Sequence, residues 1–146
     1  MPLSRISNNM QAALTSAEMP AGSVLQVKRG SDNSTITVNN TTASGATATL
    51  NRLDANSFFI IMVQAAVVRP STSGWHSMGY KVNSGSTILS NAKDDNSWVS
   101  MALTFKEDGL TDAVGASLTF TARHQTTTAQ NDQFKNSVIV VMEIAV

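Results

Sequence analysis

The side chains that catalysis most often uses are few in this chain, and they do not form a recognisable motif. The pattern around Ser77 is close to the Gly-X-Ser-X-Gly nucleophile elbow of α/β-hydrolases, but Trp75 stands where the first glycine is required. A bulky indole would block that tight turn, and no helical pattern follows. We therefore interpret His76 and His124 as ordinary strand or loop residues and predict no catalytic residue.

The acidic residues form two clusters that suit a metal ion on paper. Asp94-Asp95-Asn96 and the run from Glu107 to Asp112 together offer enough oxygens for Ca²⁺. Neither cluster matches an EF-hand loop, and Asp, Asn and Gly are also what β-turns require. With two histidines and no cysteine, a transition-metal site is poorly supported as well. We predict turns, no metal site and no cofactor.

Two further kinds of site stay open at this point. A hydrolase that acts on glycans needs two carboxylates within about 10 Å of each other, and the sequence does not show which acids meet in space. Trp75, Tyr80 and Trp98 can stack on sugar rings, as in a lectin. Because the chain has only five Phe, two Trp and one Tyr, we expect these aromatic residues to fill the core instead. Binding or a structural role is therefore favoured over catalysis.

Composition narrows the class of partner. The 146 residues carry no net charge, and the ten basic residues are scattered, which argues against a nucleic-acid-binding stripe. The longest apolar run, Phe58–Val68, is too short for a membrane-spanning helix of about 20 residues. The start MPLSRISNN lacks the apolar region of a secretory signal. We expect a soluble protein made in a cytoplasm, without membrane or nucleic-acid partners.

The same composition predicts an all-β fold. Charged residues are only 14% of the chain, and 18 Ser, 16 Thr and 12 Asn take their place. These side chains suit turns and the wet faces of sheets, but not surface helices. About eight strand-like segments recur between turn signals, so we predict one antiparallel β-sandwich or jelly roll over residues 23–146. Residues 1–22 form an extended N-terminal arm, in which only Asn9–Leu14 has helical character.

Two strand-like segments are apolar on both faces, which a two-layer sandwich does not require. They are Phe58–Val68 and the C-terminal segment from Val138 to Val146. Either loops and the arm cover the second face, or another copy of the chain does. We favour an oligomer. The side chains that we assign to its interface are Phe59, Ile61, Val63, Met142 and Ile144.

A resemblance to a known group of proteins rests on the chain ends and one middle strand. The opening MPLSRI, the segment LTSAEMPAGSVLQV, the strand FFIIMV and the closing MEIA resemble virion surface proteins of tailed bacteriophages, especially those of cyanobacterial hosts. Between Arg69 and Gln133 there is no distinctive match. The resemblance implies a trimeric, non-enzymatic jelly roll that is displayed on a phage particle made in a bacterial cytoplasm.

Within that group we expect a head decoration (cement) protein whose arm attaches to the major capsid protein. The arm residues that we expect to make this contact are Leu3, Arg5, Ile6, Met10 and Leu14. A disordered arm can wrap a large surface and order on binding, and three arms on one trimer add avidity. The alternative is a tail-fibre or tail-tip adaptor that contacts tail proteins or host surface glycans through its polar loops. No shaft repeat supports it.

Overall fold

The computed structural model describes residues 19–38, 41–68, 76–92, 99–126 and 132–146, and these form an all-β sandwich without helices. The strands are β1 (Val24–Asp32), β2 (Ile36–Val38), β3 (Thr42–Asn51), β4 (Phe58–Val68), β5 (His76–Val82), β6 (Thr87–Ala92), β7 (Val99–Glu107), β8 (Ser117–Thr126) and β9 (Asp132–Ile144). The all-β prediction is confirmed. The arm residues that we singled out, and Asn9–Leu14, lie outside the described part of the chain.

The strands form two antiparallel sheets with jelly-roll connectivity. Sheet A has the order β1-β9-β4-β7, and β2 also pairs with β9; sheet B has the order β3-β8-β5-β6. Because β1 and β2 pair with successive parts of β9, they act as one strand interrupted at residues 33–35. Eight strand positions therefore carry nine strands. Successive positions alternate between the sheets, as in a double Greek key, except for β5 and β6, which are neighbours in sheet B.

The core lies between the sheets, where every second residue of each strand points inward and meets the inward residues of the other sheet. Phe59 of β4 packs on Phe120 of β8 with ring centroids 5.3 Å apart, and Tyr80 of β5 contacts Phe105 of β7 at 5.2 Å. Leu118 and Ile139 are fully buried beside them. These strands alternate inward apolar and outward residues, so one face of each sheet is removed from water.

This packing corrects part of the predicted interface. Phe59, Ile61 and Val63 are each 0% exposed, because they point into the core of their own sandwich. The register places Met142 opposite Ile60 on the other, outer face of sheet A. Ile144 is opposite Phe58 and is 8% exposed. The alternation of β4 was read correctly, but the assignment of three of its residues to a contact between copies was on the wrong face.

The two ends of the sandwich differ in what they carry. At one end the chain enters: the Gly22 amide donates to the Ala145 carbonyl at 2.8 Å, and the Ala145 amide donates to Ser23 at 2.9 Å. We call this the entry end. At the opposite end, which we call the loop end, β2, β4, β6 and β8 finish. Strands of about ten residues separate the ends by roughly 30 Å.

Candidate functional site

The two histidines, distant in sequence, are brought together inside the sandwich near the loop end. His76 of β5 is 2% exposed and His124 of β8 is 0% exposed. Both pack on Phe134 of β9, with ring centroids 5.8 and 4.6 Å away. His76 Nδ1 also lies 3.7 Å from Oδ2 of the buried Asp132. Within the described ranges no group of three or more His, Cys, Asp or Glu side chains could hold a metal ion.

One contact in this region has the composition of a catalytic dyad. His124 Nε2 lies 2.9 Å from Ser137 Oγ. Ser137 is in the same inward register as Ile139 and Val141 of β9. Next to it, Asn136 takes a left-handed conformation at φ 53°, which Asn tolerates, and this bulge returns Phe134 to the inner face. We made no prediction for this pair, because the sequence does not show that His124 and Ser137 meet in space.

The environment of this pair does not suit nucleophilic catalysis. Ser137 and His124 are 0% exposed, and Ser137 Oγ also accepts the Ala46 amide at 3.1 Å. A Cβ added at Gly45 would collide with both side chains, so there is no room for a substrate. His124 Nδ1 has no hydrogen-bond partner in the described chain, whereas a triad orients its base through that atom. The pair instead links β8, β9 and β3.

The electrostatics of His124 agree with a structural role. Burial lowers the pKa of His124 to about 4, and the neighbouring Arg123 guanidinium acts in the same direction. Asp32 opposes the shift, but burial is the larger effect. The imidazole is therefore neutral at pH 7. A neutral ring can accept a hydrogen bond from the Ser137 hydroxyl and stack on Phe134 without the cost of burying a charge.

At the entry end a buried arginine organises the loops. Arg52, which follows β3 directly, is 2% exposed. Its guanidinium donates to five backbone carbonyls, three in the β3–β4 connection and two in the β7–β8 connection. They belong to Asp54 (2.8 Å), Ala55 (2.8 Å), Ser57 (3.4 Å), Leu110 (2.8 Å) and Asp112 (2.8 Å). With these bonds the side chain is saturated, so it is a clamp for two loops rather than an anion-binding group.

Glu143 is the acidic counterpart of Arg52 at the same end. It is 0% exposed on the inner face of β9. Its carboxylate accepts hydrogen bonds from the backbone amides of Leu53 and Asp54 at 2.9 and 3.1 Å. It also accepts the Ser57 hydroxyl at 2.7 Å and the side-chain amide of Gln26 at 2.5 Å. We had no prediction for Arg52 or Glu143. The one available signal was an acidic residue in the inward register of an otherwise apolar strand.

A cleft of about 170 Å³ opens between β5–β6 and the end of β7. It is lined mainly by apolar groups of Tyr80, Val82, Ile88 and Leu110, and one lining residue, Glu107, carries a carboxylate. The Tyr80 hydroxyl donates to Glu107 at 2.7 Å. Burial, together with this carboxylate, raises the pKa of Tyr80 above its ordinary value. Glycoside hydrolysis needs a pair of carboxylates, and this lining supplies a single one.

The acidic turn that sequence could assign to Ca²⁺ has other partners in the structure. Asp108 lies 2.8 Å from Lys106 Nζ, and the hydrogen bond from that ammonium lowers the pKa of Asp108. Glu107 accepts the Gly109 amide at 2.9 Å. These local contacts are those of a turn. The other acidic cluster, Asp94-Asp95-Asn96, lies outside the described residues.

Comparison with known proteins adds little to this geometry. No family model and no curated protein sequence matches the chain. Two solved structures of exo-β-1,3-galactanase from Phanerochaete chrysosporium with β-1,3-galactotriose are similar over 83% of this chain, at 15% and 14% identity and TM-scores of 0.33 and 0.32. The chain spans 29% of the length of that protein. No helix among the described residues has the length and hydropathy of a membrane span.

Proposed function

We propose that this chain is a non-enzymatic structural protein of a tailed-phage virion, a trimeric capsid decoration protein that stabilises the head and is exposed on its surface. The arm would attach to the major capsid protein, and the sandwich would stand above the capsid. The assignment to a virion comes from the resemblance of the chain ends and the β4 segment to phage surface proteins. The assignment to a decoration role draws support from the geometry.

The observation that carries the proposal is that the chain enters at one end of the sandwich and several strands finish at the other. Gly22 and Ser23 pair with Ala145 at the entry end. β2, β4 and β8 finish at the opposite end, and in the sequence they are followed by the Ser-, Thr- and Asn-rich segments 39–41, 69–75 and 127–131. A protein anchored by its arm would then hold these strand ends roughly 30 Å above the attachment point. This polarity suits a display module.

The buried polar groups support a non-catalytic role. Arg52 and Glu143 direct their hydrogen bonds to loop backbone at the entry end, and His124 and Ser137 bond to each other at 0% exposure. Each of these groups stabilises a junction between strands. Because these groups are buried and directed at other parts of the sandwich, none of them is placed to reach a substrate.

The test is attachment of the protein to heads built from the major capsid protein of the genome that encodes it. Deletion of residues 2–18 keeps the bonds of Gly22 and Ser23 to Ala145 and the turn in which the Ser23 amide donates to the Pro20 carbonyl. We expect this variant to fold and melt like the full chain but to fail to co-sediment with heads. A matched variant with serine at Leu3 and Ile6 should attach more weakly. Full attachment of the deleted chain would refute the anchoring role.

The tail-adaptor alternative has one feature in its favour. The segment 127–131, which follows β8 in the sequence, has Thr, Gln and Asn side chains that are suited to hydrogen bonding with sugars. If the protein is a receptor-binding adaptor, it should bind host envelope polysaccharide, and the binding should survive deletion of residues 2–18. A decoration protein should show no such binding. Immunogold labelling of virions separates head from tail directly.

A further inference from the structure

The outer surfaces of the two sheets differ sharply in polarity. On sheet B, the outward residues of β3 and β8 include Thr47, Thr49, Thr119, Thr121 and Arg123. This is the ordinary pattern of a sheet face in contact with water. Sheet A does not share it. The contrast lies within one molecule, so the overall composition of the chain does not explain it.

We call the outward surface of β1, β9 and β4 in sheet A the apolar face. The strand register brings its members together: Val27 lies opposite Met142, Met142 opposite Ile60, and Val140 opposite Met62. Met62 is 39% exposed and Val27 is 53% exposed, so water reaches the face in the single chain. The members of the apolar face are Val27, Phe58, Ile60, Met62, Ala66, Val138, Val140 and Met142.

Apart from the uncharged Gln64, which lies between Met62 and Ala66, the polar side chains of this face are at its margins and at the end where Lys135 of β9 is opposite Ala66. Arg29 of β1 and Lys106 of β7 flank it, and Lys106 Nζ lies 4.9 Å from the centre of the Phe58 ring. Lys106 is neutralised by Asp108 at 2.8 Å. Among the described residues no carboxylate points outward from these strands, since Glu143 and Glu107 lie in the inward register. The central part of the face therefore contains no group that a partner must neutralise.

The area fits association with a similar flat surface. The outward surface of sheet A consists of the apolar face on β1, β9 and β4 and a more polar margin on β7. Together these four strands, spaced about 4.8 Å apart and about eight residues long, present roughly 500 Å². Two such surfaces bury roughly 1,000 Å² in total, which is about the minimum for a specific interface between proteins. A sheet surface with an apolar centre packs well against another sheet, and a copy of the same chain always supplies one at equal concentration.

We propose that copies of this chain associate through the apolar face of sheet A, which converges on the symmetry axis of the oligomer. The inference rests on the proposed function only for the number of copies, which is three in the decoration protein proposed above. It replaces Phe59, Ile61 and Val63 with Ile60, Met62 and Val140 as the central contacts. The arm leaves from the margin of this same sheet, beside Val24.

The test compares two aspartate variants at apolar positions of similar exposure. Met62→Asp places a charge at the centre of the apolar face, whereas Ile88→Asp places it on sheet B, at 42% exposure. We expect light scattering to give a trimer for the wild type and for Ile88→Asp, and a monomer for Met62→Asp. Circular dichroism should show that all three are folded. If Met62→Asp does not fold, Val27→Asp, at 53% exposure on the same face, replaces it.

The outcomes separate this inference from the proposed function. A folded Met62→Asp protein that is still trimeric overturns the apolar face and leaves the trimer intact. A monomeric wild type overturns association through the apolar face. If deletion of residues 2–18 then causes aggregation, the chain's own arm covers this face. In either case, co-sedimentation of the wild type with heads still decides whether the decoration role stands. A monomeric, folded Met62→Asp with a trimeric Ile88→Asp supports the inference.

Discussion

Replacing Glu143 by Gln changes one atom of a fully buried side chain and reverses its hydrogen-bonding character there. Oε1 accepts the Leu53 and Asp54 amides and the Ser57 hydroxyl, and Oε2 accepts the Gln26 amide. An amide nitrogen at the Oε1 position would face three donors. The glutamine will therefore turn its nitrogen toward Gln26, where two donors then meet.

The magnitude follows from the bonds that change. Hydrogen bonds to a charged group are worth about 1.5–3 kcal/mol and a buried donor without an acceptor costs about 1–3 kcal/mol. The variant loses the Gln26 bond and weakens the remaining bonds, which no longer end on a charge. We expect the free energy of unfolding of Glu143→Gln to fall by about 2–4 kcal/mol. For a chain of this size that lowers the Tm by roughly 5–15 °C.

Thermal unfolding followed by circular dichroism at pH 7 measures this change. Glu107→Gln is the matched control, because it makes the same substitution at a half-buried carboxylate that accepts bonds from Tyr80 and Gly109. We expect the control to lose about 1 kcal/mol or less. If Glu143→Gln melts within about 2 °C of the wild type, the carboxylate does not stabilise the entry end and the argument is wrong.

Three further predictions address other parts of the sandwich. The folded chain keeps His124 neutral down to its pKa of about 4, whereas the unfolded chain protonates this residue near pH 6.5. The free energy of unfolding should therefore be highest above pH 6.5 and fall by up to about 3 kcal/mol as the pH drops to 4. Urea unfolding at both pH values measures this fall, and His124→Gln should make it smaller. A Cβ at Gly30 would overlap the Thr47 carbonyl, so Gly30→Ala should cost about 3 kcal/mol or more in the same assay, and Gly109→Ala, with its nearest neighbour at 3.3 Å, much less. Phe120→Ala should cost about 3–5 kcal/mol, and a loss below about 1 kcal/mol would contradict its central place in the core.

The strand pattern was predictable because it depends on local residue types. Turn residues mark the connections, and period-two patterning marks the strands between them. The pattern predicts strands that begin at Val24, Trp75 and Thr87, and β1, β5 and β6 begin at or next to these residues. The same pattern ends the first strand at Lys28, whereas β1 continues to Asp32 because β9 offers partners as far as Ser137. Strand ends depend on the neighbouring strand, which lies far away in the sequence.

The inward or outward direction of a doubly apolar strand could not be predicted from that strand alone. In β4 both sets of side chains are apolar except for Gln64, which is in the set of Ile60, and one polar residue is a weak signal for the exposed face. The choice is made by the neighbours. Phe59 meets Phe120 across the core, whereas Ile60 lies beside Met142. A sequence without its strand register therefore identifies the unusual strand but not its exposed face.

The buried polar clusters were missed for a related reason. Ser137 meets His124 of the opposite sheet, and Arg52 reaches carbonyls in two different loops. Neither arrangement has a local spacing that identifies it. An inward-facing acid such as Glu143 does carry a local signal, because a buried carboxylate requires several donors. That signal indicates a structural junction as readily as a site.

The positions of the polar and apolar groups give a way to separate a structural protein from an enzyme. Substitutions at Glu143 and His124 should lower stability and leave the oligomeric state and attachment unchanged at temperatures where the chain is folded, because both side chains face inward. Met62→Asp should do the reverse, since its side chain faces outward at 39% exposure. An enzyme with a site at either buried cluster would instead lose activity on substitutions that barely affect folding. If copies associate through the outer surface, the loss of stability caused by the inward substitutions and the loss of association caused by Met62→Asp should be independent of each other.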